Sequence, residues 1–269
     1  MTDQAPTRST GFAAATPPTA NVITTDTDGL TAGWVDLTVN GQTVPVYRAQ
    51  PAGKPDLPVI LVISEIFGVH EHIADVARRF AKQGYLALAP QLFVRQGDPS
   101  TIADIPTLFR DIVSKAPDAQ VNEDLDAVVA WAAQNGGNVD KLGITGFCWG
   151  GRVTWLYSAY NPKVKAGVAW YGRLAGDTSP NQPRHPVDIA PTLTVPVLGL
   201  YGAKDHGIPL DTVEKMKAAL AQGASGSSII VYPDADHAFH ADYRPTYHPQ
   251  AAQDGWQRAL DWFKQHGVA

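Results

Sequence analysis

The stretch 143–152, GITGFCWGGR, holds the single cysteine of a 269-residue chain between glycines at the end of an apolar run. A thiol in a protein is either a small apolar filler or, as its thiolate, a nucleophile. KLGITGF (141–147) reads as a strand and GGRVTWLYSAY opens a helix, so Cys148 falls on the turn in Gly146-Phe147-Cys148-Trp149-Gly150-Gly151. That is the G-x-S-x-G nucleophile elbow with sulfur in place of oxygen. Gly146 and Gly150 lack the Cβ that would crowd so sharp a turn, and Gly151 lets the helix approach the neighbouring strand. The helix N-terminus beneath the sulfur favours thiolate over thiol. This context favours the nucleophile over the filler.

A nucleophile of this kind needs a base, and the base needs an orienting acid; in this topology the acid follows the nucleophile and the histidine comes last. YGAKDHGIP places Asp205, and YPDADHAFH places His237, each just past the end of an apolar run. Asp205 would fix the tautomer of His237, and His237 would take the thiol proton and return it to the leaving oxygen. Asp234 and Asp236 are competing acids, and Asp205 is also placed to cap a helix starting near Pro209. Glu65 follows PVILVIS directly, which sets a second negative charge near the elbow, where it disfavours the thiolate and shields sulfur from oxidation. A solvated loop carboxylate is the alternative.

These residues must be carried by elements. WVDLTV and TVPVYRA alternate around Asn40-Gly41, a hairpin signal. Short apolar runs at 58–64, 85–90, 141–147, 164–172, 196–202 and 228–233 read as strands buried on both faces. Helical spacing fills the gaps: Ile73, Val76, Ala77 and Phe80; Leu125, Val128, Val129 and Ala132; Trp256, Ala259, Leu260 and Phe263. The expected fold is α/β: a mainly parallel sheet with helices on both faces, an N-terminal antiparallel hairpin, and ligands at the carboxyl ends of the strands. The Pro-rich stretch 173–195 is expected to form a long excursion over that edge, without an element of its own. Residues 31–269 are expected to form one domain behind a mobile leader over 1–30.

Composition narrows the partners. With 44% hydrophobic residues the chain can bury a large core. A net charge of -5, without Lys or Arg runs, argues against nucleic acid or an anionic membrane as partner. A single cysteine excludes an internal disulfide framework and fits a reducing compartment, so a cytoplasmic location is expected. The leader has no h-region of signal-peptide length, and no apolar stretch approaches a membrane span. No nucleotide loop follows any strand. His237 and His240, three apart among acids, could bind zinc, but no third ligand is evident; no cofactor or metal is expected. A small soluble ligand and a monomer or small homo-oligomer are.

From about residue 33 onward the chain resembles the dienelactone hydrolases (carboxymethylenebutenolidases), a cysteine-using branch of the α/β hydrolases. The resemblance rests on EIFGVHEHI, LFVRQGD, GFCWGG, YGAKDHGIP and DADHAFH. It implies a Cys148-His237-Asp205 triad, Glu65 holding the resting thiol until substrate arrives, and an oxyanion hole from the backbone N–H groups of Ile66 and Trp149. The hole has its own logic, since this topology draws one donor from the residue after the nucleophile and one from an early loop. Arg95 in LFVRQ matches a family arginine that binds a substrate carboxylate. A second, expected soon after the histidine, is out of register: the chain offers His240 and, farther along, Arg244. Trp149, Trp170 and Tyr171 could line a pocket for a flat lactone or ester, and His240 either binds substrate or packs beside Phe239. The activity implied is hydrolysis of a lactone or carboxylic ester; a broader esterase or thioesterase and a non-catalytic thiol redox sensor are the alternatives.

Overall fold

A computed structural model describes residues 22–269. In chain order its elements are β1 (Leu30–Val39), β2 (Gln42–Pro51), β3 (Leu57–Ile63), α1 (Glu71–Lys82), β4 (Leu86–Pro90), α2 (Ile105–Asp111) and α3 (Asp118–Gln134). Then follow β5 (Gly137–Phe147), α4 (Trp149–Tyr160), β6 (Val164–Trp170), α5 (Pro186–Ile189), β7 (Val197–Gly202), α6 (Leu210–Leu220), β8 (Ser228–Tyr232) and α7 (Pro249–Gln265).

The eight strands form one sheet in the order β1-β2-β4-β3-β5-β6-β7-β8. β1 and β2 are joined by the expected hairpin, with Asn40 at φ 51° and Gly41 at φ 77°, both left-handed. β2 meets β4 antiparallel, and from β4 to β8 all pairings are parallel. Strand alternation sends successive side chains to opposite faces. On β7, a Cβ on Gly199 would meet Trp155 of α4, whereas Leu200 approaches Gly255 of α7. One face is covered by α1 and α7, locked through Phe80, whose ring lies 4.5 Å from that of Trp256. α4 covers the other face, flanked by α3 and α5, with α6 against α5. β3, β4 and β7 are buried almost throughout; each large apolar side chain taken from water contributes about 1.5–3 kcal/mol.

Several expectations need correction. β8 is half-buried rather than enclosed, because it is an edge strand with a neighbour on one side alone. β5 begins at Gly137, four residues early, where Leu57 pairs with Gly137. The excursion over 173–195 does contain an element: α5, started by Pro186 and by an N-terminal capping box in which His185 accepts from, and donates to, Asp188. Most of the expected leader, residues 1–21, lies outside the described residues. Its remainder is held against α1: the Thr25 N–H donates to Asp75, Arg78 donates to the Thr25 carbonyl, and Lys82 pairs with Asp26.

Candidate active site

The carboxyl ends of β3, β5, β7 and β8 deliver the chemistry-bearing residues to one rim. Cys148 is the residue between β5 and α4, with φ 54° and ψ −113°, a left-handed conformation that a side chain adopts at a cost. Tight approach around it enforces the turn. A Cβ on Gly146 would lie 2.1 Å from the Gly150 carbonyl oxygen, and one on Gly150 would lie 2.4 Å from that of Ile63. The Cys148 N–H donates to the Trp170 carbonyl at 3.0 Å, pinning the elbow to the end of β6. The side chain keeps partial exposure.

The loops after β7 and β8 are tied together. The N–H groups of Ala203 and Lys204 donate to the carbonyls of Tyr232 and Ala235, each at 2.9 Å. This brings the Asp205 Oδ2 to 2.7 Å from the His237 Nδ1. The other oxygen of Asp205 accepts from the N–H groups of Gly207 and Ile208 at 2.8 and 3.1 Å, so the buried carboxylate is aimed by the backbone. Asp234 instead pairs with the Lys204 ammonium, and Asp236 accepts from the His237 N–H, so neither engages the imidazole. Burial disfavours the charged form of His237, but the influence of Cys148 and the bond to Asp205 outweigh burial and raise its pKa from 6.5 to about 10.

Glu65 is buried beside this pair. The structure directs it elsewhere than at the sulfur: Oε2 lies 3.2 Å from the His70 Nε2, and the Tyr243 hydroxyl donates to Oε1 at 3.4 Å. Burial raises the pKa of this carboxyl, but the positive partners, His70 foremost, prevail and lower it to about 2. Ile66 and Trp149 are both buried, and the Trp149 N–H, first in α4, has no carbonyl four residues back in the helix. Tyr171, at φ 38°, sets its ring 5.3 Å from that of His237, and its buried hydroxyl has no hydrogen-bond partner among the described residues.

Two expected substrate contacts are placed otherwise. Arg95 forks onto the buried Asp124 at 2.6 and 2.8 Å and also donates to the Val39 carbonyl at 3.3 Å, which makes it a tie between the loop after β4, α3 and β1. His240 is enclosed by aromatic rings, 4.6 Å from Trp170 and 5.1 Å from Phe147, and burial pushes its pKa well below 6.5. It is a neutral core histidine whose surroundings differ from those of His237. Three neighbours were not singled out as site residues beforehand. His70 and Tyr243 hold Glu65, and half-buried Arg244 lies close enough to favour ionisation of both Tyr171 and Tyr243, though burial prevails and keeps both phenols above 10. Arg244 makes no side-chain hydrogen bond or ion pair among the described residues. A cavity of about 270 Å³, lined by residues including Phe67, Val69, His70, Gln91 and Val94, opens beside them.

A mainly parallel sheet of this order, with a sharp strand-to-helix turn carrying a polar side chain at the rim, defines an α/β hydrolase. The chain belongs to the dienelactone hydrolase family, whose model matches residues 44–267. A protein of Escherichia coli (strain K12) with the provisional name carboxymethylenebutenolidase is 55% identical over 265 residues, 98% of each chain. A Bradyrhizobium protein provisionally named 2-oxo-3-(5-oxofuran-2-ylidene)propanoate lactonase is 31% identical over 242 residues, 89% of this chain and 96% of that one. A crystal structure described as a provisional dienelactone hydrolase from Klebsiella pneumoniae superposes with a TM-score of 0.86 at 58% identity, over 88% of this chain and 99% of that one.

Proposed function

We propose that this protein opens a lactone or cleaves a carboxylic ester through a thioester on Cys148. The arrangement that carries the reading is Cys148 on a strained strand-to-helix turn at the rim where Asp205 holds the His237 imidazole at 2.7 Å. The thiolate attacks the substrate carbonyl carbon; a C–S bond forms and the carbonyl electrons move to oxygen. The N–H groups of Ile66 and Trp149 receive that oxyanion, and such donors are each worth about 10²–10³ in rate. On collapse the C–O bond breaks, and the imidazolium of His237 protonates the departing oxygen. Neutral His237 then takes a proton from water, the hydroxide adds to the thioester, and collapse releases the acid and restores thiolate and imidazolium.

The substrate divides two readings. The provisional lactonase name of the Bradyrhizobium relative supports a carboxylate-bearing lactone, for which Arg244 beside Tyr171 and Tyr243 supplies a free cation. The bidentate bond of Arg95 to Asp124 favours a broader esterase, because it removes the other cation from substrate reach. The test is kcat/KM over a panel of acidic and neutral lactones and p-nitrophenyl esters, for wild type, Cys148→Ala and Arg244→Ala. Turnover that survives Cys148→Ala overturns the thioester reading. A loss in Arg244→Ala confined to acidic lactones supports the narrower substrate class, and a uniform response supports the broader one.

A further inference from the structure

A second cavity, of about 230 Å³, opens between α1, the loop after β8 and α7, and neither Cys148 nor His237 lines it. Ile23, Ala252 and the rings of Trp256 and Tyr247 give it apolar walls, while His240, Tyr247 and Gln253 bring polar groups to the same space. A concave apolar wall with a few converging polar groups is the usual form of a small-molecule site. None of those three side chains makes a hydrogen bond among the described residues, and the Nδ1 of His240 is buried without a partner. Buried polar atoms are nearly always paired, so an orphan at a cavity wall points to a ligand that completes it.

The cavity holds no unbalanced charge. Arg79 on its wall donates from Nε to Asp75 at 2.5 Å and from Nη2 to Asp242 at 2.6 Å. Burial, with His72 and Arg79 close by, keeps the His240 imidazole neutral, so one ring nitrogen donates and the other accepts. A charged ligand would shed its water here and meet no countercharge, whereas a flat neutral one stacks on Trp256 and Tyr247. Size narrows the class further: a cavity of about 150 Å³ already holds benzene. The space here fits one ring with a small substituent. We propose that this cavity is a second, non-catalytic site that binds a neutral phenol, with its ring against Trp256 and its hydroxyl hydrogen-bonded to His240. The wall it touches continues to the elbow. The His240 ring lies 5.1 Å from that of Phe147, which precedes Cys148, and 4.6 Å from that of Trp170, whose carbonyl accepts the Cys148 N–H. A phenol in this site therefore packs behind the nucleophile and leaves the rim open to substrate.

Binding is read without turnover, so failure of the thioester reading leaves this proposal intact. Full-length wild type and His240→Phe, labelled with nitrogen-15 in their imidazole and indole groups, are titrated with phenol, toluene and benzoate at neutral pH, with thermal melts run alongside. In wild type the His240 ring nitrogens and the Trp256 indole N–H should move together as phenol is added. Toluene should bind about tenfold more weakly, the worth of one hydrogen bond, and benzoate more weakly still. His240→Phe keeps an aromatic ring and should bring phenol down to the affinity of toluene. Wild-type His240 and Trp256 resonances that stay fixed, a phenol response confined to His237, or toluene or benzoate bound as tightly as phenol would each overturn the proposal, whether or not the variant folds. A folded His240→Phe that still prefers phenol would overturn it as well.

Discussion

Replacing Asp205 by Asn probes how the imidazole is held. The side chain keeps its shape and can retain a carbonyl oxygen for the N–H groups of Gly207 and Ile208, so the loop after β7 should persist. What is lost is a charged acceptor 2.7 Å from Nδ1 of His237. A hydrogen bond to a charged group contributes about 1.5–3 kcal/mol, which at 1.36 kcal/mol per unit is a fall of roughly one to two units in the His237 pKa. From about 10 the titration should move to roughly 8–9. Nitrogen-15 chemical shifts of the labelled imidazole, followed from pH 6 to pH 11, read this directly. The shift also sets a stability profile. The folded value lies above the unfolded 6.5, so the contribution is fully present below about pH 6.5 and is lost as pH rises through about 10. Urea midpoints should decline over that window in wild type and over a narrower one in Asp205→Asn. Activity should fall by about 10²–10⁴, the usual worth of positioned acid–base catalysis. A wild-type His237 that titrates near 6.5, or an unchanged midpoint in Asp205→Asn, would refute the reasoning.

Other consequences can be checked with simpler assays. Arg95→Ala leaves the buried Asp124 carboxylate without its fork and should lower unfolding free energy by about 3–5 kcal/mol in urea melts, with kcat/KM on neutral esters little changed in the folded fraction. Asp242 is lowered from 3.8 to about 2, because its bonds to His72 and Arg79 outweigh burial. Its contribution is present above about pH 3.8 and lost as pH falls through about 2, so acid unfolding should be shallower in Asp242→Asn. Gly150→Ala drives a Cβ into the Ile63 and Ser64 carbonyl oxygens at 2.4 and 2.6 Å, both backbone. It should cost activity even where circular dichroism shows a folded sheet.

Much of this architecture is legible along the chain because it depends on periodicity and punctuation. The Asn40-Gly41 turn, the apolar runs that become β3 to β7, and the glycines about Cys148 each act locally, and the structure follows them closely. Asp205 and His237 are legible for a related reason: each follows a strand end, and parallel topology brings those ends to one rim. What is not legible depends on partners remote in sequence. Nothing in LFVRQ indicates that the Arg95 guanidinium meets Asp124, twenty-nine residues on. DADHAFH does not reveal that His237 and His240 enter different surroundings, because the left-handed Ala238 re-aims the chain between them. Nothing in GVHEH indicates that His70 meets Glu65 and Tyr243. The short α2 and α5 are missed because they have too few turns for periodicity, and capping by Asp104 and His185 is their main signal.

The central claim is a covalent bond between substrate and one sulfur. Wild-type enzyme mixed with p-nitrophenyl acetate and quenched in acid within the burst phase should carry one acetyl group, located by peptide mass spectrometry on Cys148 and removed by neutral hydroxylamine. An acetyl group found on another residue, or full turnover with Cys148 unmodified, would contradict the account.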